Sequence, residues 1–132
     1  MQSDARRFPC GLMRSLFRRF ACASRGLIYL LTRDAGGRLH ALCAVAVAGM
    51  GIALRVSALE WAVLSLAVGA VIAAEGLNTA VEKLADRVTT EREEAIRLLK
   101  DVSAGAVLAS AIGAAGAALA IFGPKLLPLL GP

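Results

Sequence analysis

The sequence contains few aromatic residues, since Phe, Trp and Tyr together occupy 5% of its 132 positions. Its apolar content is nevertheless high, with 58% of the residues drawn from Ala, Val, Ile, Leu, Met, Phe, Trp, Tyr and Cys. A chain of this length cannot bury so much apolar surface internally, because small domains have the least interior for their surface. Ala and Gly dominate the apolar set, as they do in tightly packed membrane helices. The composition excludes a soluble two-domain enzyme and predicts a membrane protein.

Several familiar chemical motifs are also missing from the sequence. The three cysteines, Cys10, Cys22 and Cys43, form no close pair and no metal-ligand spacing. An odd number of cysteines in an expected inner-membrane protein indicates free thiols. There is no GxxxxGK[ST] loop and no GxGxxG segment followed by an H-R-D segment. Any use of ATP by this chain therefore relies on neither standard soluble ATP-binding fold.

Acidic residues are outnumbered, with ten Asp and Glu against fifteen Lys and Arg and a net charge of +5. A positive charge alone is compatible with nucleic-acid binding. However, eight arginines precede the first long apolar run, where they would meet anionic lipid headgroups. These are Arg6, Arg7, Arg14, Arg18, Arg19, Arg25, Arg33 and Arg38. We therefore expect a membrane partner and no nucleic-acid partner.

Three uncharged runs, residues 41–54, 61–74 and 102–123, indicate membrane spans. The third has 22 positions, enough for the roughly 20 that cross a bilayer, whereas the first two need residues from their polar flanks. The pattern predicts an all-α integral membrane protein that forms a single domain over residues 1–132. Its transmembrane helices are expected at about 39–56, 57–88 and 91–123, the last two with cytoplasmic extensions.

Charge in the short loops predicts the orientation. The loop near residue 55 has only Arg55 and Glu60, whereas the segment 82–101 has five Lys or Arg residues. Because positively charged loops stay in the cytoplasm, we expect the N-terminus and this segment there and the C-terminus outside. We expect the protein to cross an inner membrane several times.

A further helix is predicted before the first span, at about residues 12–34. It mixes the apolar side chains Leu12, Leu16, Phe17, Phe20, Leu27 and Leu31 with Arg14, Arg18, Arg19 and Arg25. This pattern is typical of an amphipathic helix lying on the membrane surface. Gly36 and Gly37 are expected to break it, so that the chain turns into the first span.

Residues 74–86, AEGLNTAVEKLAD, carry the polar groups best suited to chemistry. At about 100° per residue, Asn78, Glu82 and Asp86 fall within about 60° of Glu75 on one face of a helix. Glu75 directly follows 14 uncharged residues, so it is expected at the hydrocarbon edge, where ionisable groups are costly and usually functional. A carboxylate in such a position suits a general base.

The next helix is expected to begin around Glu91 and to return antiparallel to its predecessor. That arrangement would bring Lys100 and Asp101 to the membrane depth of Glu82 and Glu75. Carboxylates for a hard divalent cation, an amide to orient ligands and a lysine for phosphate oxygens are the parts of phosphoryl transfer. The residue pattern therefore indicates chemistry on a phosphate at the cytoplasmic face.

The same residues resemble the small prokaryotic membrane kinases that include diacylglycerol kinase and undecaprenol kinase. That family has approximately E-x-x-N-[ST]-A-[IV]-E-x-x-x-D, followed by A-K-D or L-K-D at the start of the last helix. The motif stands here as Glu75, Asn78, Thr79, Ala80, Val81, Glu82 and Asp86, followed by Leu99, Lys100 and Asp101. Upstream, Arg38-Leu39-His40 looks like the R-[IL]-H of the undecaprenol kinase branch. The resemblance extends from about Arg18 to Phe122.

The resemblance implies an ATP-dependent lipid kinase that phosphorylates a membrane lipid alcohol, either diacylglycerol or undecaprenol. It implies that Glu75 is the general base and that Glu82, together with Asp34, holds the Mg²⁺ that bridges the ATP phosphates. At the position of Asp34 the family usually has Glu, which is one methylene longer. The family is homotrimeric, so a homotrimer is also expected.

By the same resemblance, Asn78 and Asp101 position the nucleotide, together with Glu82, and Lys100 faces its phosphates. Arg18 and Arg25 are candidates for nucleotide contact, although the arginines before residue 34 are mainly expected to anchor the lipid surface. Arg38 and His40, together with Glu75, are candidates for contact with the lipid substrate.

Each of these residues also has a structural interpretation. Glu82 and Asp86 could form the solvated end of a long helix, Glu75 a structural ion pair, and Lys100 and Asp101 interface anchors. His40 could equally be a structural histidine. The alternative to a kinase is a non-enzymatic oligomeric membrane protein, either a transporter subunit or a cation-binding scaffold. The absence of charge near the middle of the spans is evidence against transport.

Overall fold

The computed structural model describes residues 10–88 and 93–130. Within these ranges the chain forms four α-helices and a short 3-10 helix, and it has no strand. The bounds are α1 Cys10–Arg33, α2 Ala35–Ala53, α3 Ala58–Val88 and α4 Glu94–Leu126, followed by the 3-10 helix Leu127–Leu130. The predicted all-α fold is confirmed. The expected start of the last span, at residues 91 and 92, lies outside the described residues.

Three of the helices, α2, α3 and α4, are long and apolar enough to cross a membrane. They contain 19, 31 and 33 residues, and at about 1.5 Å per residue even α2 approaches the roughly 30 Å of a hydrocarbon core. Large apolar side chains project outward along them, including Leu42, Leu66, Leu108 and Leu119. This outward apolar surface is what a lipid environment requires, and the three predicted spans are present as such helices.

The break between α1 and α2 lies at Asp34, so the prediction that Gly36 and Gly37 break the helix is wrong. Asp34 has an extended backbone, and its Oδ2 accepts a hydrogen bond from Gly37 N at 3.0 Å. Aspartate is a favoured residue before a helix because its carboxylate satisfies a free N–H of the first turn. The two glycines lie inside that first turn. A Cβ at Gly37 would overlap the carbonyl of Leu30, so this glycine allows α1 and α2 to pack closely.

The opposite end of α2 is joined to α3 by a short turn that a capping box closes. Glu60 Oε2 accepts a hydrogen bond from Ser57 N at 2.6 Å, and Glu60 N donates to Ser57 Oγ at 3.3 Å. From α4, Lys125 Nζ lies 3.2 Å from Glu60 Oε1. A small apolar cluster of Val56, Leu64 and Phe122 is buried at this end. These contacts hold α2, α3 and α4 together away from the candidate site.

Helices α3 and α4 form an antiparallel pair whose register is fixed by two polar contacts. Lys100 Nζ lies 2.6 Å from Asp86 Oδ1, and Ser103 Oγ lies 2.6 Å from Asn78 Oδ1. The second half of α3 is therefore beside the first half of α4. The candidate site lies here, at the end of the helices where α1 meets α2.

Candidate functional site

The polar face predicted on α3 is partly buried. Glu75, Asn78 and Thr79 are each less than a tenth exposed, whereas Glu82 and Asp86 are exposed. Burying polar or charged groups is costly unless they find partners. The partners that surround these side chains therefore define the site.

The side chain of Glu75 extends from α3 to the first turns of α2. Its Oε1 packs against Gly36, where a Cβ would overlap the carboxylate, and its Oε2 lies 3.9 Å from His40 Nε2. Asp34 Oδ2 borders the same glycine, 3.5 Å from the position of that absent Cβ. The lack of a side chain at Gly36 thus lets the Glu75 carboxylate reach α2 and brings Glu75, Asp34 and His40 together.

Asn78 connects α3 with α4. Its Oδ1 accepts a hydrogen bond from Ser103 Oγ at 2.6 Å, and its Nδ2 donates to Glu82 Oε1 at 3.1 Å. Ser103 Oγ also lies 2.9 Å from the carbonyl oxygen of Lys100. Sequence reasoning missed Ser103, because only the register of α4 against α3 places it opposite Asn78.

Lys100 and Asp101 lie near the exposed end of the helix pair. The contact of Lys100 with Asp86 places it level with residues 82–86 of α3, near Glu82, rather than at the depth of Glu75. The side chain of Asp101 is exposed on α4. The structure therefore brings the lysine near the outer carboxylates of the polar face, while the buried Glu75 lies deeper.

Lys83 is a second residue that sequence reasoning missed. Its Nζ lies 5.2 Å from the centre of the Tyr29 ring of α1. Lys83 falls about 80° from Glu75 on an ideal helix, outside the predicted polar face. It was visible in sequence only as a charge beside Glu82.

Asp34 and Glu82 provide the hard oxygen ligands that Mg²⁺ prefers. Among the residues that the structure describes, no three His, Cys, Asp or Glu side chains form a group able to hold a metal ion. Because Mg²⁺ commonly binds one or two carboxylates plus substrate phosphates, the donor set fits an ion completed by phosphate oxygens.

The three predicted arginines lie outside this cluster of contacts. Arg18 and Arg38 are exposed. Arg25 bonds within α1, with Nε donating to Ala21 O at 3.2 Å and Nη2 lying 3.3 Å from Cys22 Sγ. In a single chain the structure thus gives these side chains no described contact with Glu75 or Asn78.

An apolar groove of about 280 Å³ runs between α2, α3 and α4. His40 lines the groove, and Val71 and Ile72 lie on its α3 wall, one turn before Glu75. The wall formed by α4 consists of small residues, Ala111, Ala114, Ala115 and Ala118. The groove therefore runs along the spanning helices to His40, whose Nε2 lies 3.9 Å from the Glu75 carboxylate.

Comparison with known proteins gives a consistent result. Residues 21–122 match the family described as prokaryotic diacylglycerol kinase. An undecaprenol kinase of Bacillus subtilis is 34% identical over 110 residues, which are 83% of this chain and 89% of that protein. A diacylglycerol kinase of Synechocystis sp. is 35% identical over 112 residues, which are 84% of this chain and 64% of that protein.

The matched region contains the whole polar face of α3, the start of α4 and the junction of α1 with α2. It therefore includes every candidate site residue except Arg18. A kinase is favoured over the non-enzymatic alternative, because both relatives are kinases and the family is one of lipid kinases. The chain belongs to the prokaryotic diacylglycerol kinase family and is a lipid kinase.

Proposed function

We propose that this protein transfers the γ-phosphate of Mg·ATP to the hydroxyl of a membrane lipid alcohol. The observation that carries the proposal is the buried Glu75 carboxylate, which lies beside His40, a residue that lines an apolar groove. A hydroxyl whose hydrocarbon chain lay in the groove would reach Glu75 from the membrane side. ATP would approach from the exposed side, where Glu82 and Lys100 lie.

Glu75 is the proposed general base. It would accept the hydroxyl proton as the lipid oxygen bonds to the γ-phosphorus and the bond to ADP breaks. Phosphoryl transfer asks the protein mainly for positioning and charge neutralisation, so a single well-placed base is sufficient. The contact with Gly36 and the nearby His40 hold this carboxylate at one place.

Asp34 and Glu82 would hold the Mg²⁺, which when bound neutralises negative charge on the phosphates. Asn78 and Asp101 would position the nucleotide, and Lys100 would face its phosphates, as the family resemblance implies. Asp34 is shorter than the usual glutamate of the family. One of its oxygens also accepts the hydrogen bond from Gly37, which fixes its orientation.

The proposed setting is the cytoplasmic face of the bacterial inner membrane, with the C-terminus outside. α1 would lie on the membrane surface, since its exposed side chains mix Phe17 and Phe20 with arginines. Arg18 and Arg25 would then point toward headgroups or nucleotide. The exposure of Glu82 and Asp101 in a single chain supports a homotrimer in which a neighbouring subunit completes the site.

The acceptor is proposed to be undecaprenol or diacylglycerol. The two relatives are named for these two substrates, and Arg38 and His40 are the proposed contacts with the lipid. Phosphorylation of each lipid by the purified protein, measured side by side at equal mole fraction in one detergent, decides between them.

The Glu75→Gln variant tests the proposal. We expect it to lose lipid phosphorylation almost completely, by at least about 100-fold, because general-base catalysis typically contributes 10²- to 10⁴-fold. The matched control is Glu60→Gln, the same substitution at the other end of α3, where Gln can still cap the helix. Radiolabelled ATP and extracted lipid product give the rate. Full turnover by Glu75→Gln would rule out the assignment of the base.

A further inference from the structure

A hydrogen-bonded chain crosses from α4 to the exposed carboxylate of Glu82. It begins at Ser103, whose Oγ lies 2.6 Å from Asn78 Oδ1, and continues from Asn78 Nδ2 to Glu82 Oε1 at 3.1 Å. Asn78 is 9% exposed and Ser103 is half-buried, so water competes little for these bonds. This series of hydrogen bonds runs from the interior of the helix pair outward to Glu82.

The amide of Asn78 can satisfy both neighbours in only one orientation. Its carbonyl oxygen accepts hydrogen bonds and its NH₂ group donates them, whereas an ionised carboxylate only accepts. With the oxygen toward the Ser103 hydroxyl, the NH₂ group faces Glu82. In the reversed orientation, the amide oxygen would face the carboxylate and the two acceptors would repel each other.

We propose that Ser103 is a positioning residue that orients Glu82 through Asn78 and thereby sets the affinity of the site for a divalent cation. The proposal rests on the proposed function in one respect, namely that Glu82 is a metal ligand. An outer partner of a ligating carboxylate restricts its orientation, and loss of such partners typically weakens metal binding. Ser103 acts from a different helix, so it also couples the metal site to the packing of α3 against α4.

A second serine on α4 provides a matched control for Ser103. Ser110 is also on α4 and its Oγ donates to a carbonyl of its own helix, Ala106 O, at 2.9 Å. Ser103 Oγ also lies 2.9 Å from the carbonyl oxygen of Lys100, but its single hydroxyl hydrogen is shared with the nearer acceptor, Asn78 Oδ1, at 2.6 Å. Comparing Ser103→Ala with Ser110→Ala therefore separates the contact with Asn78 from loss of a hydroxyl on α4.

The test measures Mn²⁺ binding to the purified protein with a stoichiometric non-hydrolysable ATP analogue, which supplies the phosphate oxygens, through the electron paramagnetic resonance signal of the free ion. Loss of one hydrogen bond to a buried polar group corresponds to an affinity change of about threefold to tenfold. We expect Ser103→Ala to bind Mn²⁺ more weakly by that factor. Ser103→Thr, which keeps the hydroxyl, and Ser110→Ala should remain within about twofold of the unmodified protein. In kinase assays, the apparent KM for Mg·ATP should rise in Ser103→Ala and stay close to that of the unmodified protein in Ser103→Thr and Ser110→Ala, with little change in kcat.

Equal Mn²⁺ affinities of Ser103→Ala and Ser110→Ala would overturn the proposal. So would a change confined to the KM of the lipid, or a defect that Ser103→Thr does not rescue. A thermal unfolding curve of each variant in detergent identifies simple misfolding. The metal titration does not need turnover, so it tests the role of Ser103 separately from the kinase assignment. Failure of the kinase assignment would appear instead as a lack of activity in the unmodified protein.

Discussion

Asp34 caps α2 and is also the proposed ligand of a divalent cation. One oxygen of its carboxylate accepts the hydrogen bond that begins α2. Capping needs only an acceptor oxygen, whereas holding a divalent cation needs negative charge. Substitution can therefore separate the two tasks.

We expect Asp34→Asn to retain its fold and to require more Mg²⁺. Asn caps a helix as well as Asp, so the thermal unfolding midpoint should be unchanged. Loss of a ligand should cost at least as much as loss of an outer partner, so half-maximal activity should need about tenfold more Mg²⁺. Asp34→Ala should lose both properties. An unchanged Mg²⁺ requirement in Asp34→Asn would show that this residue does not bind the metal.

The Gly36→Ala variant should lose activity because the added methyl group would occupy the position of Glu75 Oε1. Displacing a catalytic group by about 1 Å can cost on the order of 100-fold in rate. Gly49→Ala is the control, since it lies in the same helix and a methyl group there meets nothing within 4 Å. Steady-state kinetics should show a fall in kcat for Gly36→Ala alone. Equal kcat values for the two variants would contradict the described packing of Glu75.

At the scale of elements, α1 is held over the site by a few contacts. Leu30 packs against Gly37 of α2 and lies against Gly76 of α3, and Lys83 lies over the ring of Tyr29. Cation–π contacts at exposed sites contribute about 0.5–1 kcal/mol. Lys83 thus contributes to keeping α1 in place.

We expect Lys83→Met to loosen α1 without unfolding the protein. Loss of about 0.5–1 kcal/mol corresponds to about twofold to fivefold faster amide exchange where exchange occurs by local opening. Hydrogen–deuterium exchange of the peptide around Tyr29 measures this effect. Arg87→Met removes the same charge one turn further along α3 and is the control. Identical exchange in both variants would mean that the Lys83 contact does not hold α1.

The spanning helices could be predicted from the sequence because the surrounding lipid determines where charged residues are excluded. Uncharged runs become spans because lipid offers no partner for charge, and α2, α3 and α4 follow these runs. The junction was mispredicted because Gly36 and Gly37 suggest a break, whereas the capping oxygen of Asp34 determines where α2 begins. Glycine is needed at these two positions for a different reason. Leu30 approaches Gly37 and Glu75 approaches Gly36 so closely that a Cβ would overlap them.

At the scale of the whole molecule, the site joins an apolar groove to an exposed polar end. Helical spacing alone placed Glu75, Asn78 and Glu82 on one face, and the structure agrees with that spacing. It could not reveal Ser103 or the groove, because both depend on how α4 lies against its neighbours. Contacts between helices that are distant in sequence leave no periodic signal in either one.

Filling the groove should impair use of the lipid more than use of ATP. Ala114 lines the groove from α4, so Ala114→Phe would occupy space that a hydrocarbon chain needs. We expect the apparent KM for the lipid to rise by about tenfold, with the KM for ATP unchanged, because loss of contact with about two methylene groups costs about 0.8 kcal/mol each. Leu108→Phe, on the exposed side of α4, is the control. Parallel changes in both constants would show that the groove does not hold the lipid.

The position of the groove has a kinetic consequence. Because it lies between spanning helices, a substrate that enters it arrives by diffusion within the plane of the bilayer rather than from water. The enzyme would then respond to the mole fraction of the alcohol among the surrounding lipids and not to its amount per volume of cell. Diluting the membrane with inert phospholipid at constant total substrate should slow the reaction, as it would for any catalyst confined to two dimensions.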